Sequence, residues 1–404
     1  MGKIKINTCI LCFILLLPTA NAQVWSPFDI RGQASLRTTF CFDLGANSLN
    51  MGFVKASYRG GFLEEEVRSN ALNALNTENN IAGIRGHTSF LLTIPIKESL
   101  WHWSLKGTAA QFRELSFSRS VFDLVFFGNE ASLGQEYPFA MHYRNLHFQY
   151  LQAGLHYTHQ RHIAGLAAGP VSGSYLFDLK LNNASIFTAA DGSFIELKAQ
   201  SKLHWSDTTE SKSLWQGKGI NATLYYGYQS NHQKAYLLLE DFGFLRFNTH
   251  ISDDTDSSWH YNGVPLDLFG QETASFSVNQ DSIQKWTGLS EAESHRLMLP
   301  SSLNLGFEQS IRDEHFTLGV YGKYYFYSFA SPQITIVPGW KVHPNWKVFA
   351  SVSSGGYDGL TSGLHLKGNI NNELGLMIGS KGLSEIWFDQ SPASAGFYLT
   401  LYAY

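Results

Sequence analysis

Cysteine is nearly absent from this chain, with three in 404 residues. Cys9 and Cys12 lie close to the N-terminus, so Cys41 stands alone beyond them. An internal disulfide is therefore excluded for the rest of the chain, and a metal site there would need other ligands. Beyond the N-terminal segment no run of about 18 apolar residues occurs, which excludes transmembrane helices. Charge is scarce as well, at 15% of residues. Removing residues 1–22 takes two of the 29 basic residues and none of the 33 acidic ones, leaving a net charge of −6. No basic stripe runs along the chain, so nucleic acid is excluded as a partner.

Aromatic residues and glycine are abundant instead, at 14% of the chain and 36 residues. Together with the low charge they suit a β-barrel with aromatic girdles and tight turns. They would also suit a secreted sandwich or propeller, so composition leaves those open. Met1 to Ala22 reads as a cleaved signal peptide: Lys3 and Lys5 form a basic start, an apolar core runs from Ile10 to Pro18, and Ala20-Asn21-Ala22 gives the small-x-small cleavage pattern. The mature chain is expected to begin at Gln23 and to form one domain over residues 23–404.

Alternation carries the fold. In the last ten residues Phe397, Leu399, Leu401 and Ala403 share one face, and Tyr398, Thr400, Tyr402 and Tyr404 share the other. An apolar strand exposed as an edge invites aggregation, whereas a closed barrel has no edge. Phe316, Leu318, Val320 and Tyr324 alternate with Thr317, Tyr321, Lys323 and Tyr325. Leu303, Leu305 and Phe307 alternate with Asn304, Gly306 and Glu308, and Phe177, Leu179 and Leu181 with Asp178 and Lys180. Ile195, Leu197, Leu203 and Trp205 do the same against Glu196, Lys198, Lys202 and His204. Period-two segments of about ten residues are what strands between lipid and a wet lumen require. Further candidates, including 50–58, 81–96, 100–113, 143–158 and 233–247, bring the expectation to an all-β fold: a single antiparallel transmembrane barrel of about 14 strands. The compartment expected is the Gram-negative outer membrane.

Three insertions break the pattern. Leu63 to Asn76 and Ser120 to Phe127 have helical spacing, the second behind a Ser-x-x-Asp opening. Ser290 to Leu297 begins Ser-Glu-Ala-Glu, a capping box. Short apolar helices must bury somewhere, and the expected place is in or over the lumen, as filler or as a gate over a ligand route.

Three segments, Phe122-Asp-Leu-Val-Phe-Phe-Gly-Asn-Glu130, Leu239-Glu-Asp-Phe-Gly-Phe-Leu-Arg246 and Leu299-Pro-Ser-Ser-Leu-Asn-Leu-Gly306, resemble in content and order an uncharacterised family of outer-membrane barrels from Bacteroidetes. The resemblance covers nearly the whole mature chain. The family's likeness to the fatty-acid-transporter and secretion-accessory type of barrel implies a lumen partly filled by helices. It supplies no catalytic or binding residue. One departure is Gly382 to Trp387, where the family pattern has an Asp-Asn pair.

Chemistry is thin. His156-x-x-His159-x-x-His162 is the one dense histidine group, yet strand geometry splits it between two faces and no Cys or acid sits nearby, so a polar turn is the simpler reading. Asp253, Asp254 and Asp256 read as a solvated loop, because the glycine and terminal Glu of a calcium loop are missing. Glu64, Glu65 and Glu66 read as an acidic helix start. Gly169-Pro-Val-Ser172-Gly173 misses the spacing of a nucleophile elbow. No catalytic residue, metal ligand or cofactor is assigned, and an enzyme is not expected. Two readings of function remain: a barrel that binds or passes small apolar ligands, and a non-transporting accessory or scaffold barrel in envelope assembly or protein secretion. The corresponding partners are outer-membrane lipid, a small apolar ligand and an envelope protein.

Overall fold

The computed structural model describes residues 34–60, 62–206, 216–261, 293–311, 315–382 and 392–403, with backbone only at 250–259, 261 and 293. The expected signal peptide and residues 383–387 of the C-terminal departure lie outside the described residues.

The chain closes into an antiparallel barrel of fourteen staves, as alternation predicts. Its strands are β1 (Ser35–Asn50), β2 (Asn80–Pro95), β3 (Trp101–Phe117), β4 (Glu136–His159), β5 (His162–Thr188), β6 (Ile195–Ser206), β7 (Gly217–Gln229) and β8 (Gln233–Tyr261). Then follow β9 (Glu293–Met298), β10 (Ser302–Ile311), β11 (Phe316–Tyr325), β12 (Ser331–His343), β13 (Trp346–Gly356), β14 (Gly359–Asn369), β15 (Leu374–Lys381) and β16 (Pro392–Ala403). Two staves hold two strands end to end. β6 and β7 share the place between β5 and β8, and β9 and β10 share the next one. The ring shuts where β16 pairs with β1, from Leu36 opposite Ala403 to Gly45 opposite Ser394. The last strand is thus no edge, because β15 flanks its other side.

The outward positions are the apolar ones the alternation marks. Leu318, Val320, Tyr324, Leu305, Phe307 and Leu401 are all exposed, while their neighbours Tyr321, Asn304 and Tyr398 are buried in the bore. Exposed apolar rows on a closed wall are what hydrocarbon tolerates. One end of the barrel has short connections, such as Gln160–Arg161 and Pro344–Asn345; the other carries the long ones. In barrels of this type the short turns are periplasmic.

Two of the three expected helices form, and one forms unannounced. α2 (Glu65–Ala74) falls within its expected insertion, and α3 (Arg119–Phe126) starts one residue ahead of Ser120–Phe127. α1 (Met51–Arg59) replaces a strand expected at 50–58, because the Asn50 side chain accepts from the Phe53 N–H and caps a helix there. Ser290–Leu297 is corrected as well: residues 290–292 are outside the described residues, and Glu293–Met298 pair along β8 as a strand.

The placement of the helices differs from expectation. Phe53, Ala71, Leu75 and Phe122 bury against Leu115, Phe117 and Met141. Leu115 and Phe117 are in phase with exposed Trp101, Trp103 and Leu105, and Met141 lies opposite Phe117. Met51 and Val54 likewise bury against Ala46 and Ala395, in phase with exposed Leu36 and Leu401. The helices therefore form a shelf on the outside of the wall. The bore beside them presents Asp43, Arg85 and Glu114, which offer no apolar seat.

Candidate functional site

Alternation loads the bore with polar groups, and a β-bulge concentrates two of them. Asp241 has φ +57°, and the pairing of β7 with β8 slips beside it, between Ala222 and Leu224. Glu240 and Asp241 consequently both face the same cavity. The slip lies inside the segment Leu239–Arg246 that carries the family resemblance. A second such segment meets it: Ser301 Oγ donates to the Asp241 carbonyl at 2.9 Å, and the Leu299 N–H donates to Gly243 at 3.0 Å.

The cavity is about 120 Å³ in volume. Lys106 Nζ donates to Glu240 Oε1 at 2.9 Å on one side of it. Phe112 and Tyr150 give it an aromatic wall, and the Lys106 ammonium sits 5.5 Å from the Tyr150 ring centroid. Thr108 Oγ1 and Asp241 Oδ1 are buried and make no hydrogen bond among the described residues. Orphaned buried polar atoms are uncommon and costly, so they mark a place where another group belongs. Towards the short-turn end a floor of buried Tyr225, Tyr236, Tyr321 and Tyr398 fills the bore.

Towards the other end two connections fold inward and cross the mouth. Gly355, Gly356 and Gly359, all at positive φ, bracket Tyr357 and Asp358. Both side chains are buried, Tyr357 against β2 and β3 across the bore and Asp358 beside the neighbouring β15 and β16. The Tyr357 hydroxyl accepts from Arg85 Nε at 3.0 Å and Nη2 at 2.7 Å, and it donates to Glu114. Arg85 Nη2 stands 3.5 Å from Glu114 Oε1, and its guanidinium lies 3.6 Å from the Tyr325 ring centroid. Gly83 makes room for this packing, since a Cβ there would sit 2.3 Å from Tyr357 Cζ. Asp358 contacts Lys381, which also reaches Asp43 Oδ1 at 3.1 Å.

The connection from β11 to β12 supplies the second crossing. Ser328 Oγ accepts from Arg85 Nη2 at 2.9 Å and donates to Glu114. The Tyr327 carbonyl accepts from Arg144 Nη1 at 2.8 Å, and Phe329 rests 4.6 Å from the His142 ring. These residues sit beyond the lipid-facing rows of β4, which end near exposed Leu151. Asp178 pairs there with His142 at 2.6 Å and Arg144 at 3.0 Å. Burial pushes its carboxyl up, but the His142 hydrogen bond and the Arg144 guanidinium outweigh that and hold it at about 2. Charge-assisted bonds thus latch these two loops to the wall opposite them.

The residues weighed from sequence fare unevenly. His156 faces the bore and bonds Ser104 Oγ at 2.7 Å. His159 and His162 pair across the tight turn at Gln160 and are both exposed, on the other side of the wall, so the triplet is not brought together. Asp253, Asp254 and Asp256 stand on β8, not in a loop, since that strand pairs with β6 to Tyr261. Glu65 and Glu66 occupy the first turn of α2. Ser172 sits within β5, with no strand-to-helix elbow around it. No sequence motif marks the latch residues Arg85, Glu114 and Tyr357. Their trace in the sequence is charge at the inward phase of two apolar-out strands, plus a glycine-bracketed Tyr-Asp.

Several solved barrels are similar in architecture. The toluene transporter TodX of Pseudomonas putida shares 8% identity over 93% of this chain and 88% of its own, with a TM-score of 0.43. The TodX deltaS2S3 mutant, a monoaromatic hydrocarbon channel, shares 7% identity over 92% of this chain and 90% of its own, with a TM-score of 0.47. The toluene transporter TbuX of Ralstonia pickettii shares 8% identity over 92% of this chain and 89% of its own, with a TM-score of 0.42. No curated protein matches the chain. The family of unknown function DUF5723 matches residues 39–379, and the chain belongs to it.

Proposed function

We propose that this DUF5723 member is an outer-membrane barrel that binds a small, mainly apolar molecule in its lumen and admits it through a latched mouth. The observation that carries this reading is the cavity beneath the latch. Its volume of about 120 Å³ is close to the scale, about 150 Å³, at which an engineered apolar cavity takes up benzene. Phe112, Tyr150 and Tyr325 supply aromatic faces for an apolar body, and orphaned Thr108 Oγ1 and Asp241 Oδ1 would satisfy one polar group on the guest. A neutral molecule with a hydroxyl or amine on an apolar body fits best, because Lys106 and Glu240 already neutralise each other.

The test is calorimetric titration of the purified, detergent-solubilised protein with phenol as the probe. Saturable binding by the native protein, lost in Thr108→Phe, supports the reading. Equal, non-saturable heats in both proteins would refute it.

The second reading, a non-transporting scaffold, is favoured by the same latch. Hydrogen bonds that join loops to charged groups of the opposite wall brace the barrel, and a braced bore need not open. Under that reading phenol does not bind, conductance stays nil in every latch variant, and an envelope protein co-purifies with the chain.

A further inference from the structure

The outer shelf has more apolar surface than the wall beneath it uses. Phe62 is 86% exposed, Tyr58 81% and Val125 67%. Phe62 and Phe127 flank the Arg68 guanidinium, with ring centroids 5.4 and 5.2 Å from its carbon. A soluble surface seldom leaves so many large apolar groups together, and such patches mark a membrane or a partner.

Height decides between water and lipid. On β3 the outward row begins at Trp101 and Trp103, where Trp101 packs 5.0 Å from Tyr157. That is an aromatic girdle at the short-turn end. Ten residues further, at about 3.3 Å each and a tilt of about 40°, the strand has risen roughly 25 Å, the height of the apolar band of such barrels. The outward residues reached there are Gln111 and Arg113. On β2 the matching outward residues are Gly86 and Ile84. Neither strand offers an aromatic residue at this second interface, although barrels place them at both. The next outward residues of β3, Leu115 and Phe117, are those that seat the helices.

We infer that the shelf of α1, α2 and α3 is an interfacial anchor: Tyr58, Phe62, Val125 and Phe127 enter the headgroup and upper acyl region of the outer leaflet and complete the aromatic girdle that β2 and β3 lack. The occupant of this surface is lipid. Charge is not what draws the shelf to lipid, since Glu64, Glu65 and Glu66 stand exposed beside Phe62. Insertion is driven by apolar area and is indifferent to anionic lipid. Nothing in this depends on what the lumen binds.

The experiment uses Cys41 to advantage: it is the one cysteine after residue 12, and it is buried. The variants Phe62→Cys, Val125→Cys and Ser193→Cys each carry one accessible thiol for an environment-sensitive NBD label. Ser193 lies in the exposed turn between β5 and β6, far beyond the membrane band, and serves as the aqueous control. The labelled proteins, expressed without residues 1–22 so that Cys9 and Cys12 are absent, are reconstituted in phosphatidylcholine vesicles with and without brominated acyl chains. Labels at 62 and 125 are expected to emit at shorter wavelength and to lose at least half their intensity to bromine. The label at 193 is expected to do neither, and adding phosphatidylglycerol to change none of this. Water-like, unquenched emission at both 62 and 125 would overturn the proposal. So would quenching that requires anionic lipid, or protection of both labels only when a protein partner is added.

Discussion

Replacing Glu114 by Gln tests the latch. Glu114 is buried, and it takes hydrogen bonds from Tyr357 and Ser328 while facing Arg85 at 3.5 Å. The substitution keeps the shape and removes the charge. Arg85, itself buried, then loses its carboxylate, and removing one side of a buried ion pair costs about 3–5 kcal/mol. That cost falls on the latched arrangement alone, because an opened loop lets Arg85 meet water. At about 1.4 kcal/mol per tenfold, the ratio of latched to open should fall by roughly a hundred- to a few thousand-fold. Single-channel recording in planar bilayers reads this directly: rare, brief openings for the native protein and frequent openings for E114Q. Heat-modifiable migration on a mild detergent gel confirms that the wall is intact. An E114Q protein that folds normally and conducts no more than the native one would show that the latch carries no gating load.

Gly83→Val should reach the same open state by another route, because a Cβ there collides with the Tyr357 ring; the same recordings check it, and a silent G83V channel would contradict it. The Asp178 carboxyl, held at about 2 by His142 and Arg144, lies below its unfolded value of about 4. Its contribution to the mouth is therefore complete above about pH 4 and is lost as pH falls through about 2. A carbon NMR titration of that carboxyl in micelles should find its midpoint near 2, and a midpoint near 4 would mean the pairing is absent. Asn50→Ala removes the cap of α1 and should cost about 1 kcal/mol locally. Hydrogen exchange should show this as faster exchange confined to 51–59, with the strands unchanged.

Much of the wall was legible because a strand between lipid and a polar bore writes its two faces into alternate residues. Leu318, Val320 and Tyr324 against Tyr321 and Lys323 needed no structure to sort. What alternation cannot tell is where an apolar helix will lie. Leu115 and Phe117 continue the outward phase of β3 above the membrane band, and only the fold reveals that they are covered by helix and not by lipid. The helix at 51–59 turned on one side-chain cap at Asn50, a local bond that a period count overlooks. The stretch through Asp253–Asp256 looked like a loop because strands that rise beyond the membrane lose the apolar face by which strands are recognised. The latch was out of reach for a different reason. Glu114 and Tyr357 are 243 positions apart, and neither stands in a motif. Their meeting depends on closure of the ring, which joins β13 and β14 to the wall of β2 and β3 across the bore.

A crystal of the protein soaked in phenol gives the most direct measurement of the lumen account. Ring-shaped density should lie against Phe112 and Tyr150, with its hydroxyl within hydrogen-bond reach of Asp241 or Thr108. Density found only on the outer wall, with the cavity side chains unmoved and the pocket unfilled, would contradict it.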